Sequence, residues 1–243
     1  MTPLAENPKK GLFRRLADAL SPSGRKTNVY FISGMCYNCS VFDNLRLPKG
    51  FRKVYLEWTI PDPDEPLSHY ARQMARAIDS KKPFVLVGYS FGAVIMQEMS
   101  LFLKPQKSVV LSSFKDKSEI PGLFRFVQKT HLAEWVPDEF FEQTEFITEA
   151  FNRTLFHATN AEMAQYMTVT DPVYVQWAVT QITGWVPENN SDRLYHIHGT
   201  EDQIFPYKQL TNVIPIPEGD HLMVVKMADQ VSTVLDSILL LKA

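Results

Sequence analysis

One serine, one aspartate and one histidine in this chain stand where acyl-transfer chemistry could be assembled. The serine is Ser90, in Gly88-Tyr89-Ser90-Phe91-Gly92. The apolar, β-branched-rich run Phe84-Val85-Leu86-Val87 leads into it, and the helix-like Ala93-Val94-Ile95-Met96-Gln97-Glu98-Met99 follows. This order predicts a strand, a sharp turn and a helix, with Ser90 at the apex of the turn. A serine so placed sits in a strained backbone, and only small flanking residues let strand and helix approach closely enough. The turn lifts the hydroxyl above the sheet edge and points the first amides of the helix into the same space. A hydroxyl is a poor nucleophile at neutral pH, so Ser90 needs a base, and the base needs an orienting acid.

The six histidines offer unequal candidates for the base. His69 opens an amphipathic helical stretch, and His131 and His157 lie in aromatic-rich helical stretches. His196 and His198 alternate along the strand-like Arg193-Leu194-Tyr195-His196-Ile197-His198-Gly199, which turns both toward one face of a sheet. Such residues are more often packed than metal-ligating, and no Cys or carboxylate cluster stands near them at zinc spacing. His221 differs. It follows Ile214-Pro215-Ile216-Pro217-Glu218-Gly219-Asp220, where a strand gives way to a loop, and it precedes a helical pattern. Loops at the C-terminal ends of strands are where α/β sites are built. The acid candidate is Asp202, in the loop Gly199-Thr200-Glu201-Asp202-Gln203-Ile204-Phe205-Pro206, with Glu201 and Asp116 as the competing carboxylates. Asp220 adjoins His221 directly, and neighbouring side chains on an extended loop diverge, so it reads as a loop residue.

From residue 28 to the C-terminus the chain resembles the α/β-hydrolase family. Three motifs carry the resemblance in the order Ser90, Asp202, His221: G-Y-S-F-G, G-T-E-D-Q-I-F-P and E-G-D-H. It implies Ser90 as nucleophile, Asp202 as acid and His221 as general base. It also implies an oxyanion hole made of two backbone amides, one from the residue after the nucleophile and one from the loop after the first strand. These map onto Phe91 and onto Met35, with Cys36 as the alternative to Met35. Where the family often has His-Gly in that loop, this chain has Ser33-Gly34. The donors are main-chain groups, so the departure leaves the mechanism possible.

The two cysteines form Cys36-Tyr37-Asn38-Cys39, a spacing shared with thiol–disulfide redox motifs. No other thioredoxin-like feature accompanies it, and both read as reduced thiols near the pocket. A net charge of −2 and an isoelectric point of about 6.3 leave no electrostatic footprint for nucleic acid or an anionic membrane. No apolar run approaches a membrane span in length, and Gly11-Leu12-Phe13 is too short for the core of a signal peptide. A cytoplasmic enzyme with no cofactor and no metal is the expectation, and 243 residues suffice for one α/β domain.

Strands are expected near 28–33, 53–58, 84–89, 108–112, 193–198 and 212–216, and helices near 40–46, 67–79, 91–103, 206–211 and 221–241. This alternation predicts a doubly wound, mostly parallel sheet of about six strands, covered on both faces. Residues 1–27 read as a lead segment with a short amphipathic stretch, and residues 28–243 as the hydrolase domain. Residues 115–190 interrupt the alternation with a helical, aromatic-rich stretch. The resemblance makes this stretch a cap over the serine, inserted before the acid-bearing strand. A pocket lined by some of its rings would favour an apolar acyl or aryl group. The expected activity is hydrolysis of a small, largely apolar carboxylic ester through an acyl-enzyme. Thioester hydrolysis is the competing activity, and a slow or non-catalytic small-molecule receptor on the same fold is the competing class.

Overall fold

The computed structural model describes residues 26–130, 159–188 and 193–241. Its centre is a sheet of six strands: β1 (Thr27–Ile32), β2 (Phe51–Tyr55), β3 (Phe84–Tyr89), β4 (Lys107–Leu111), β5 (Leu194–Gly199) and β6 (Ile214–Ile216). The spatial order is β2-β1-β3-β4-β5-β6, and every neighbouring pair is parallel. Parallel strands need covered crossovers, so both faces must be buried. The side-chain alternation does this. Tyr30, Ile32, Leu86 and Val110 enter one apolar cluster, whereas Val29, Phe31, Val85, Val87, Val109 and Leu111 enter the other.

The first cluster takes in α1 (Leu67–Met74), α2 (Phe91–Ser100) and α5 (Pro172–Gly184). The second takes in the 3-10 turn Cys39–Phe42 and the C-terminal helices α6 (Met223–Lys226) and α7 (Ala228–Leu240). Two further helices, α3 (Gly122–Thr130) and α4 (Asn160–Tyr166), belong with α5 to the insertion between β4 and β5. The architecture is therefore doubly wound, with a six-stranded sheet and helical insertions. Lys107, at the start of β4, donates to the Ile238 and Leu239 carbonyls at 2.6 and 3.0 Å. This adds a side-chain donor to the last carbonyls of α7, of which Ile238 O also accepts the Leu241 amide at 3.2 Å, and places a cation at the negative end of the helix.

Several expected elements are shorter than their patterns, each for a local reason. The helix expected near 40–46 is a single 3-10 turn, Cys39–Phe42. Lys53 Nζ from β2 takes the carbonyls of Phe42, Asp43 and Leu45, each at 2.9 Å, and so caps the end of the turn. The stretch near 206–211 is likewise one turn, Tyr207–Gln209, because the Thr211 amide is drawn to Glu119 Oε1 at 2.9 Å. The helix expected over 221–241 breaks at Met227, whose φ of −123° and ψ of 34° leave the helical well. β6 begins at Ile214 because Asn212 turns the chain with φ 48°. Pro215 is tolerated there because β6 is an edge strand.

The expected lead segment lies outside the described residues, apart from its last two. So do Trp135, Phe140, Phe141, Phe146, Phe151 and Phe156 of the expected cap.

Candidate active site

Ser90 stands between the last residue of β3 and the first of α2, with φ 52° and ψ −121°. A non-glycine residue in this region is strained, and such strain persists only where the surroundings over-determine it. Here they do. The Ser90 amide donates to Leu111 O of β4 at 2.9 Å, and its carbonyl accepts from the Ala93 amide at 3.0 Å. A methyl group on Gly92 would stand 2.3 Å from the carbonyl oxygens of Ile32 and Ser33, and one on Gly88 would stand 2.4 Å from Ala93 Cα. Both flanking glycines are thus required by close backbone approach, which is the role their spacing around Ser90 suggests.

The chain order Ser90, Asp202, His221 converges in space. Ser90 Oγ lies 3.0 Å from His221 Nε2, and His221 Nδ1 lies 2.8 Å from Asp202 Oδ2. His221 and Asp202 are buried, while Ser90 is half-buried. Asp202 Oδ1 accepts the amides of Ile204 at 2.9 Å and Phe205 at 3.0 Å, so its carboxylate is fixed from both sides. Burial alone would push this carboxyl up. The His221 imidazole, His198 and the local amides outweigh it and hold Asp202 below the usual carboxylate range. The rings of Tyr89 and Phe205 lie 5.4 and 5.6 Å from the His221 ring and fix its plane. A methyl on Gly199 would approach Gly219 O to 2.1 Å. That glycine is what lets the acid loop and the histidine loop meet, with the Glu201 amide donating to Gly219 O at 2.8 Å.

The competing carboxylates are occupied elsewhere. Asp116 caps the turn after β4, accepting the Ser118 amide and hydroxyl at 2.8 and 2.7 Å. Glu201 faces solvent. Asp220 accepts the Leu222 amide at 2.9 Å and pairs with Lys226 at 2.5 Å.

The loop after β1 lies against the serine. A methyl on Gly34 would stand 3.3 Å from Ser90 Cβ. Met35 is half-buried beside it, and Cys36 turns the chain with φ 67°. Phe91 is the first residue of α2, so its amide has no helical carbonyl four residues back to bond. The insertion is tied to this loop: the Asn38 amide donates to Tyr166 O at 2.8 Å and the Val169 amide to Cys36 O at 3.2 Å. On the other side of the site, Phe124 of α3 packs on Phe205 and Phe114, with centroids 6.1 and 6.3 Å away.

Cys36 and Cys39 are free, buried thiols, and burial pushes each up to about 12. A reactive redox cysteine needs the opposite shift.

Two groups near the site carry no short sequence motif. His198, at the end of β5, donates from Nε2 to Phe205 O at 2.8 Å and lies 3.4 Å from Asp202 Oδ2. Burial holds it below the ordinary histidine value despite that carboxylate, so it serves as a neutral donor bracing the acid's turn. Trp58, just past β2, reaches the loop after β1. The available signal for both was position alone, since each follows or closes a strand at its C-terminal end.

Comparison with solved structures agrees with this architecture. MenH from S. aureus matches with a TM-score of 0.66 at 12% identity, covering 88% of this chain and 94% of that one. A thermophilic esterase from Thermogutta terrifontis matches with 0.65 at 16% identity, covering 89% and 90%. Rv0554 from Mycobacterium tuberculosis matches with 0.62 at 16% identity, covering 90% and 92%. At these identities the likeness speaks for the fold alone. No curated protein matches the chain. Among the described residues, no helix is long and apolar enough to cross a membrane. The model of the alpha/beta hydrolase family matches residues 20–234, and the chain belongs to that family, whose fold is typical of hydrolytic enzymes.

Proposed function

We propose that the protein is a serine hydrolase that cleaves carboxylic esters of small, largely apolar substrates through an acyl-enzyme. The observation that carries the reading is the continuous chain of contacts from Ser90 Oγ through His221 to Asp202, at 3.0 and 2.8 Å. Both distances lie within the reach a proton transfer needs. His221 Nε2 takes the Ser90 proton as Oγ attacks the ester carbonyl, and Asp202 stabilises the resulting imidazolium. The amides of Met35 and Phe91 receive the negative charge on the carbonyl oxygen. His221 then returns the proton to the leaving alcohol. Water, deprotonated by the same imidazole, releases the acid and restores Ser90.

The apolar substrate preference is supported by the rings gathered around Phe91, the residue after the serine. Trp58, Tyr70, Tyr174 and Trp177 are buried around Phe91, and the last two come from the 115–190 insertion. In this reading the insertion is a cap that sets acyl preference and leaves the chemistry to the sheet. Hydrophobic selection of this kind is worth about 1–3 kcal/mol per methylene-sized contact, so preferences should be graded. The test is a panel of p-nitrophenyl esters of increasing acyl length run beside the matching acyl-CoA thioesters. A higher kcat/KM on short or medium esters supports the reading. Thioesters preferred throughout would replace it with thioester hydrolysis, and turnover of neither would leave a binding protein.

A further inference from the structure

We propose that Trp58 is a positioning residue for the oxyanion site, holding in place both backbone amides that would receive the developing charge. The inference rests on the acyl-transfer reading above and names the side chain on which that chemistry depends.

Trp58 is 8% exposed and stands just beyond β2, where the chain leaves the sheet. Its indole lies parallel to the Phe91 ring, 5.4 Å between centroids at 8°, and is backed by Tyr70 at 6.2 Å and 28°. Its Nε1–H donates to Ser33 Oγ at 2.9 Å and to Gly34 O at 3.1 Å. The second contact is the informative one. Gly34 C=O and Met35 N–H are the two ends of a single planar trans peptide, so they point in opposite directions and turn together. Fixing the Gly34 carbonyl therefore fixes the direction of the Met35 amide. The Tyr37 amide holds the same carbonyl at 3.1 Å. Two donors on one carbonyl also polarise the peptide and make its N–H a stronger donor. The Ser33 hydroxyl accepts from Trp58 and donates to Tyr37 O at 2.6 Å, closing the loop on itself.

The same indole thus touches both halves of the oxyanion site. Through its edge it sets the Met35 peptide, and through its face it packs the ring of Phe91, whose amide is the other donor. Tryptophan suits this because it presents two apolar faces and one N–H with no acceptor. Ser33 occupies the position where the family often has histidine, and here the hydroxyl and the indole together hold the loop. A tryptophan that was merely packed would need only one acceptor for its N–H and would gain nothing from choosing this peptide.

The experiment compares the full-length wild type with Trp58→Phe, which keeps a stacked ring and loses the donor, and with Ser33→Ala, which loses only the hydroxyl link. Each is assayed on p-nitrophenyl butyrate and titrated with an alkyl trifluoromethyl ketone, which adds to the serine as a tetrahedral alkoxide. Trp58→Phe is expected to lower kcat about 10- to 100-fold with KM within about threefold. Ketone affinity should fall by the same factor as kcat/KM, because both report the oxyanion. Ser33→Ala should follow the same correlation with a smaller loss, and it carries the comparison if Trp58→Phe does not fold. Wild-type kcat in Trp58→Phe overturns the inference. So does a loss that falls on KM, or one that leaves ketone affinity unchanged. A wild type that turns over no ester removes the underlying reading as well, which distinguishes that failure from the failure of Trp58 alone.

Discussion

The loop after β5 and the loop after β1 both cross the C-terminal edge of the sheet beside Ser90, and they are held in different ways. In the β5 loop the proposed working group is a side chain, and local backbone holds it. Asp202 is pinned by the amides of residues two and three positions on. In the β1 loop the proposed working group is backbone, held by the local Tyr37 amide and by a remote side chain together. The Gly34 carbonyl is gripped by Trp58, 24 positions away. A local hydrogen-bonded turn orders few residues to make its contacts, whereas a long-range grip exists only once the sheet has formed. The acid loop should therefore be sensitive to changes in its own backbone, and the β1 loop to changes far from it.

The largest effect should come from the residues both loops serve. Ser90→Ala and His221→Ala should each lower ester turnover by on the order of 10⁴–10⁶, and the double mutant should be scarcely worse, because the pair acts as one unit. Additive losses in steady-state kinetics would separate residues that are joined here. Next, Asp202→Asn should cost about 10⁴ in kcat, since an amide neither fixes the His221 tautomer nor stabilises its charge. Glu201→Gln and Asp116→Asn should stay close to wild type, and a crippled Asp116→Asn would move the acid to the turn after β4.

The acid loop itself should break through its backbone. Gly199→Ala puts a methyl 2.1 Å from Gly219 O, so it should destabilise by about 1–3 kcal/mol in urea unfolding and lower kcat by separating the acid from His221. A variant of wild-type stability and rate would show that the two loops are not held by that approach.

The smallest effect concerns pH. His196 is buried, and its burial, followed by the neighbouring His198 and Lys115, holds it well below 6.5. It is neutral when folded and takes a proton on unfolding. Its contribution is therefore intact above pH 6.5 and is lost as pH falls from there toward the folded value, at about 1.4 kcal/mol per pH unit. His196→Phe should flatten the acid slope of unfolding free energy measured between pH 6.5 and 5 by about that amount, with His198 still contributing. An unchanged slope would show that His196 is not held neutral.

The contrast between the loops also explains what the sequence made legible. Strands β1, β3 and β4 announce themselves as short apolar runs bounded by turn residues, and β5 as an alternating one. Ser90, Asp202 and His221 each sit in a motif only a few residues long, and their order along the chain is the order in which the parallel strands present them. Trp58 sits in no motif, because its meaning depends on a peptide 24 positions earlier. His198 reads as one half of an alternating strand pair until Phe205 O and Asp202 are seen beside it. The shortened helices follow the same rule. Lys53 ends the turn at Phe42, and Glu119 draws off Thr211, so a distant side chain overrides a local pattern. The break at Met227 has no proline or glycine to signal it.

The proposed function stands on Ser90 as a nucleophile activated by His221. The most direct measurement is intact-mass and peptide mapping after exposure to an alkyl fluorophosphonate, run on wild type, Ser90→Ala and His221→Ala. One adduct per wild-type chain is expected, mapped to Ser90, absent in Ser90→Ala and slowed by orders of magnitude in His221→Ala. An adduct on another residue, or labelling of Ser90 at the wild-type rate without His221, would contradict it.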